Sequence, residues 1–366
     1  MKPPCGQGFV GSRAGGRGEG GAAAIVGEAA RTDARRGGIT APPRDQPAEP
    51  LTGGASPAHD ERFRPPSPRR CRLPAMPGLI QRLVGPPISP ETLAALKATS
   101  AVNSAGYDPW GLNPEYAAEA TRYFSFLYRH WLRVETHGLE NVPQGRVMLV
   151  PNHGGQLPLD GMMVGLAMAL EASPPRVVRG MVERWFPSLP FVSTLFVRCG
   201  QVVGDPENCE ALLRREQCIM VFPEGVRGSG KLWSERYRLQ EFGSGFVRIA
   251  LETRTPIVPV AIIGCEETYP AIYNAKTLAK LMDAPYLPVT PTWPLLGPLG
   301  ALPLPVKVQL YFGKPILFSG DPDEPDEKTH ARVEQVKSTL QGMIDEGLRA
   351  RPRLKALDRL ARWGRP

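Results

Sequence analysis

An α/β fold, a mixed and largely parallel sheet flanked by helices, is what this sequence predicts. Two observations carry that prediction. From about residue 146 onward, short apolar runs alternate with helical patterns. Polar residues then gather just past the ends of two of those runs, at His153 and Glu224, where open α/β sheets place their sites.

The elements follow in order. The first 75 residues are rich in Gly, Ala, Arg and Pro with almost no aromatics. Such a stretch buries too little surface to offset the entropy of ordering it, so 1–75 is expected to be a disordered extension. Composition changes at Met76, which is a candidate true start. The α/β domain is expected over 86–348, and 349–366 reads as a basic tail. A short helix begins near Pro90, and 114–135 forms a longer aromatic and basic one, with Pro114 in its first turn. That helix suits a membrane interface or, equally, a face packed on the core with solvated arginines. Strands are expected at 146–150, 176–182, 218–222, 257–263 and 306–312. Helices are expected at 161–171, 206–215, 243–253 and 328–349. Residues 284–305 are apolar but broken by prolines, so they predict an extended loop rather than a helix, and an exposed apolar loop suits contact with lipid or an acyl chain.

Charge narrows the partners. The net +8 is +5 in the first 75 residues and +6 from Leu348 to the end, which leaves the body at −3. The body is therefore no nucleic-acid binder, and the basic ends suit an anionic membrane surface. The six cysteines show no paired or metal-ligand spacing and read as reduced, mostly buried thiols of an intracellular protein. No apolar run is long enough to span a bilayer.

Two constellations bear on chemistry. In "VPNHGGQLPLDG", His153 lies in the loop after a strand and Asp160 opens the next helix, a capping position. Taken alone, a capping aspartate and an idle turn histidine is the simpler reading. "VFPEGVRGSGK" ends a second strand and presents Glu224, Gly225 and Arg227. A carboxylate and a guanidinium three apart can pair with each other or grip a polar headgroup. The same stretch also reads G-x-x-x-x-G-K over 225–231, the opening of a phosphate-binding loop, although Leu232 stands where Ser or Thr would hold Mg²⁺.

Together, the His153/Asp160 loop, "FPEGVR", "TPIVPVAIIG" and the intervening "FVRCGQVVGDPEN" resemble the ordered blocks of glycerol-3-phosphate and 1-acylglycerol-3-phosphate acyltransferases, over roughly 140–265. The resemblance implies a glycerolipid acyltransferase-like fold, with the core motifs over 146–265. It implies His153 as general base and Asp160 as its orienting partner, with Glu224 and Arg227 placing the acyl acceptor; Gly225 and Arg198 are further substrate-binding candidates, Arg198 for a phosphate or, equally, in a structural ion pair. It further implies acyl-CoA or acyl-carrier protein as co-substrate, a membrane lipid acceptor, a peripheral place on the cytoplasmic face of a membrane, and no metal or tightly bound cofactor. One departure is plain: six residues separate His153 from Asp160 where the family has four. Looped-out versions resemble neutral-lipid acyltransferases, so the spacing bears on the acceptor more than on the reaction. Acyl transfer to an alcohol needs a base near neutral pH, which histidine supplies at a gain of roughly 10²–10⁴-fold. Three further readings stay open: a neutral acceptor such as diacylglycerol or a long-chain alcohol, a nucleotide-binding enzyme using 225–231, and a lipid-binding relative without catalysis.

Overall fold

The computed structural model describes residues 88–98, 101–155, 157–184, 192–275, 279 and 286–351. The expected disordered extension, the start at Met76 and most of the basic tail lie outside the described residues.

Seven strands form the central sheet: β1 (Glu135–His137), β2 (Val147–Pro151), β3 (Val178–Val182), β4 (Val202–Val203), β5 (Cys218–Met220), β6 (Ile257–Ile263) and β9 (Gln309–Phe312). Their order is β1-β9-β6-β2-β5-β3-β4, and only the β6/β9 pair is antiparallel. A separate two-stranded ladder joins β7 (Tyr273–Asn274) to β8 (Pro288–Val289). The largely parallel sheet expected from the alternation is what forms.

The central strands are apolar throughout because both of their faces are covered. On β2, Val147 and Leu149 face one layer while Met148 and Val150 face the other. Strand β6 divides in the same way, with Val258, Val260 and Ile262 on one side and Ile257, Ala261 and Ile263 on the other. One layer is built by α3 (Leu159–Leu170), through Met163, Val164 and Ala167, and by the turn that follows α2 (Pro114–Phe126). The other is built by α5 (Pro206–Arg214), α7 (Gly245–Thr253) and α8 (Asp326–Ala350). Val333, Val336, Leu340 and Ile344 recur along α8 at helical spacing, which fixes its buried stripe. Helix α5 starts where Asp205 accepts the Asn208 N–H at 2.8 Å and Pro206 opens the first turn. The remaining helices are α1 (Pro90–Ala98), α4 (Val192–Arg198) and α6 (Gly225–Ser229).

Several expectations are corrected. The helix expected over 114–135 stops at Phe126, widens into a π turn over Leu127–Trp131, and ends where Arg133 adopts φ +46°. Its last residues become β1 because Glu135 N–H donates to Val308 O at 3.0 Å and the segment pairs with β9. The packed reading of this helix holds for its inner face, where Tyr116, Tyr128 and Leu132 are buried. Strand β4 and helices α4 and α6 have too few residues to show a period. Cys209, Cys218 and Cys265 are buried and Cys199 is half-buried, all as free thiols, and burial pushes Cys218 up to about 11. Among the described residues, no helix is long and apolar enough to cross a membrane.

Candidate active site

Strand β2 ends at Pro151, and the next residue locks the chain in place. Asn152 is fully buried, and its side-chain amide bridges Ile262 of β6, donating to its carbonyl at 3.1 Å and accepting from its N–H at 2.7 Å. His153 therefore leaves a fixed point. Its imidazole stacks on Phe222, with ring centroids 4.0 Å apart and planes 14° from parallel.

The long loop does fold back. His153 Nδ1 lies 2.7 Å from Asp160 Oδ2, the Asp160 side chain being 1% exposed and that of His153 18%. Asp160 Oδ2 also accepts Gly154 N–H at 3.0 Å, and its Oδ1 accepts Gly161 N–H at 2.7 Å. A carboxylate at Nδ1 assigns that nitrogen the proton and leaves Nε2 as the basic one. The sequence reading placed Asp160 as the helix cap, and the structure corrects it. Helix α3 already begins at Leu159 after Pro158, and the carboxylate turns back toward the histidine loop. The Gly154 N–H is committed to Asp160, so it is not open to a reacting oxyanion.

The second block meets the first directly. Glu224 is 1% exposed. Its Oε1 accepts His153 N–H at 2.8 Å and its Oε2 accepts Gln240 N–H at 2.9 Å. Lys231 Nζ stands 3.4 Å from the same Oε2 and 3.0 Å from Glu266 Oε1. Gly225 turns the chain with φ +55°. Gly228 brings α6 against the loop: a Cβ there would stand 2.6 Å from Glu224 Cβ and 2.8 Å from His153 Cβ. Beside these residues a cleft is lined by Gly155, Gly228, Ser229, Lys231, Arg236 and Glu266, among others.

The structure thus brings His153, Asp160, Glu224 and Gly225 together. Arg227 instead stands half exposed, paired with Glu241. Arg198, at the end of α4, lies over the Tyr116 ring at 5.3 Å. Among the described contacts none links either arginine to His153. The phosphate-cradle reading of 225–231 is corrected: Gly225–Ser229 is a short helix, and the Lys231 ammonium is buried between two carboxylates. The non-catalytic reading rested on the long His–Asp spacing, and the 2.7 Å contact removes that motive.

Sequence reasoning missed Asn152, Glu266 and Glu183, and read Lys231 as a phosphate-loop lysine. Glu266 follows the end of β6, the same kind of position that flagged His153, and that was the available signal. Glu183 follows β3, and burial pushes its carboxyl up against the pull of nearby His153 and a Val226 hydrogen bond.

A mostly parallel sheet that holds a histidine and a buried aspartate at the carboxyl ends of its strands defines an α/β protein with a His–Asp dyad in its switch-point loops. An acyltransferase family model matches residues 133–263, from just before β1 to the end of β6. An uncharacterized protein of Mycobacterium leprae (strain TN) is 41% identical over 241 residues, 64% of this chain and 65% of its own length. An uncharacterized protein of Mycobacterium tuberculosis (strain ATCC 25618 / H37Rv) is 39% identical over the same length, 64% of this chain and 67% of its own. The match spans just under two thirds of the first relative. A Mus musculus protein named DGAT1/2-independent enzyme synthesizing storage lipids is 24% identical over 218 residues, 59% of this chain and 61% of its own. Among solved structures, the 1-acyl-sn-glycerophosphate (LPA) acyltransferase PlsC of Thermotoga maritima matches with a TM-score of 0.39 and 19% identity, over 63% of this chain and 78% of its own. The chain belongs to the acyltransferase family.

Proposed function

We propose that the protein is a membrane-associated O-acyltransferase that moves a fatty acyl group from acyl-CoA or acyl-carrier protein to a hydroxyl of a glycerolipid, with His153 as general base. The observation that carries this reading is the 2.7 Å His153–Asp160 contact in a loop that reaches solvent. The acceptor hydroxyl gives its proton to Nε2 as its oxygen attacks the thioester carbonyl carbon. The tetrahedral intermediate then expels the thiolate, which takes the proton back from the imidazolium. Asp160 stabilises that imidazolium and holds the ring in the correct tautomer. The products are an ester and a free thiol, and no covalent enzyme intermediate is needed.

The family blocks point first to a lysophosphatidate-like acceptor. A neutral acceptor, diacylglycerol or a long-chain alcohol, has its own support: Arg198 and Arg227, the cations expected to grip a phosphate, are engaged with Tyr116 and Glu241. The mouse relative, named as an enzyme synthesizing storage lipids, points the same way. Peripheral attachment to the cytoplasmic face of a membrane draws support from the segment between β6 and β9, where Leu295, Leu296, Leu299 and Leu302 are exposed.

The test offers purified protein a labelled acyl-CoA or acyl-carrier protein with lysophosphatidate, diacylglycerol and a long-chain alcohol in turn. Ester should form with one acceptor class and vanish in His153→Ala. Vesicle binding without transfer to any acceptor overturns the enzyme reading.

A further inference from the structure

Lys231 and Glu266 are a buried charged pair to which the proposed chemistry gives no task. Lys231 sits between Glu266 and Glu224, and the three charged side chains are 4%, 6% and 0% exposed. The ammonium has three N–H donors, and Glu266, Glu224 and the Arg238 carbonyl at 3.4 Å all stand within reach. A bound phosphate would have to displace one of these, so the lysine's donors are already engaged where it borders the cleft. Glu266 is held in turn by Tyr237 N–H, which donates to its Oε2 at 2.7 Å.

Two carboxylates buried side by side repel each other, and an ammonium between them offsets that repulsion. The consequence falls on Glu224, whose Oε1 holds the backbone N–H of His153. An ionised acceptor makes that bond shorter and roughly twice as strong as a neutral one. We infer that Lys231 and Glu266 are positioning residues for the transfer reaction: they hold the Glu224 carboxylate in place, and Glu224 fixes the backbone from which the His153 imidazole reaches Asp160. The inference rests on His153 acting as the base. Burial pushes Glu266 up to about 7 against the pull of Lys231 and Tyr237 N–H, so the cluster is poised to take up a proton once the lysine is gone. The groups facing it are Asp160 and His153 beyond Glu224, and the Glu267–Arg351 pair beyond Tyr237.

The test uses the full chain with ¹⁵N-labelled histidine and two readouts: steady-state transfer from palmitoyl-CoA to the acceptor found active, and the His153 backbone amide resonance, assigned by its loss in His153→Ala. Lys231→Met should lower kcat about 10–100-fold, leave KM within about twofold, and shift the amide resonance. Raising pH should restore part of the rate, because the proton taken up by the cluster at Glu266 then leaves. The double variant K231M/E266Q, with a single buried carboxylate, should be faster than Lys231→Met. A double variant no faster than the single one, or a loss independent of pH, reduces the pair to a fold element and overturns the inference. If Lys231→Met does not fold, Glu266→Gln decides. It should lower kcat about threefold and move the same resonance, whereas unchanged kcat with an unmoved resonance overturns the proposal. If His153→Ala retains transfer, the base reading fails instead, and the resonance still reports whether the cluster holds the loop.

Discussion

Two regions of the molecule solve opposite problems. Around His153 the side chains are polar and buried, and each carboxylate finds its partners inside the protein. Between β6 and β9 the side chains are apolar and turned outward: Leu295 is 82% exposed and Leu299 68%. Buried charge without partners is costly, and exposed apolar surface without cover is equally out of place. The first region supplies its own partners, whereas the second is left uncovered by the described residues. They also touch. Tyr286 of the outward segment hydrogen-bonds Ser229 beside the cleft, and burial pushes its phenol up with Asp160 and Glu183 nearby.

The sharpest way to break the comparison is at the polar wall. His153→Ala should lower transfer by about 10²–10⁴-fold while leaving the protein folded, because Asp160 keeps the Gly154 and Gly161 N–H donors when the imidazole is removed. Asp160→Asn keeps the volume and removes the charge that stabilises the imidazolium, so a large kcat loss with a modest KM change is expected. Steady-state kinetics with both substrates varied checks both variants. Wild-type rates in His153→Ala would remove the dyad from the mechanism.

Next in size is Gly228→Ala. The added methyl group would stand well inside contact distance of both Glu224 and His153, and overpacking of this kind costs about 1–3 kcal/mol. Urea unfolding should show that loss, and kcat should fall with it, because the displaced groups belong to the dyad's support. An unchanged midpoint would mean that α6 can retreat from the loop without consequence.

The outward region is tested by Leu295→Ser combined with Leu299→Ser. Each leucine withdrawn from water contributes about 1.5–3 kcal/mol, so sedimentation with anionic vesicles should fall at least about tenfold. Turnover of a detergent-dispersed acceptor should hold. Equal vesicle binding by the variant and the wild type would leave that surface to another partner.

These regions differed in how far the sequence disclosed them. Strand β6 was legible to the residue, since an unbroken apolar run bounded by Pro256 and Gly264 has few other uses. The dyad was legible through two blocks that are meaningful only together. Strand β1 was not, because its hydrogen bonds go to a segment more than 170 residues away, and the aromatic periodicity of α2 continues into its approach. Lys231 was misleading for the same reason. Its glycine spacing copies a phosphate loop, while its partner Glu266 stands 35 residues further on. Arg227 looked functional by its place in "FPEGVR", but the turn at Gly225 sends Glu224 inward and Arg227 outward. Local pattern reveals which residues end a strand, and tertiary pairing decides which of them face the site.

The smallest expected effect is a change of slope, and it concerns Glu266. Its carboxyl is raised from the ordinary 4.5 to about 7 by burial, with Lys231 and Tyr237 N–H opposing. The folded state therefore keeps this proton at pH values where the unfolded chain has released it. Below about 4.5 the group favours neither state. As pH rises from there toward 7 its contribution turns against folding, because ionising it inside the protein costs more than ionising it in water. The carboxyls of Glu135 and Glu216, drawn down by Lys307 and Arg146, act in the opposite sense at lower pH. Unfolding free energies measured between pH 4.5 and 7.5 should accordingly fall less steeply, or rise more, in Glu266→Gln than in the wild type. Parallel curves would mean that Lys231 already holds Glu266 ionised throughout that range, and the buried wall would then be a permanent ion pair rather than a titrating one.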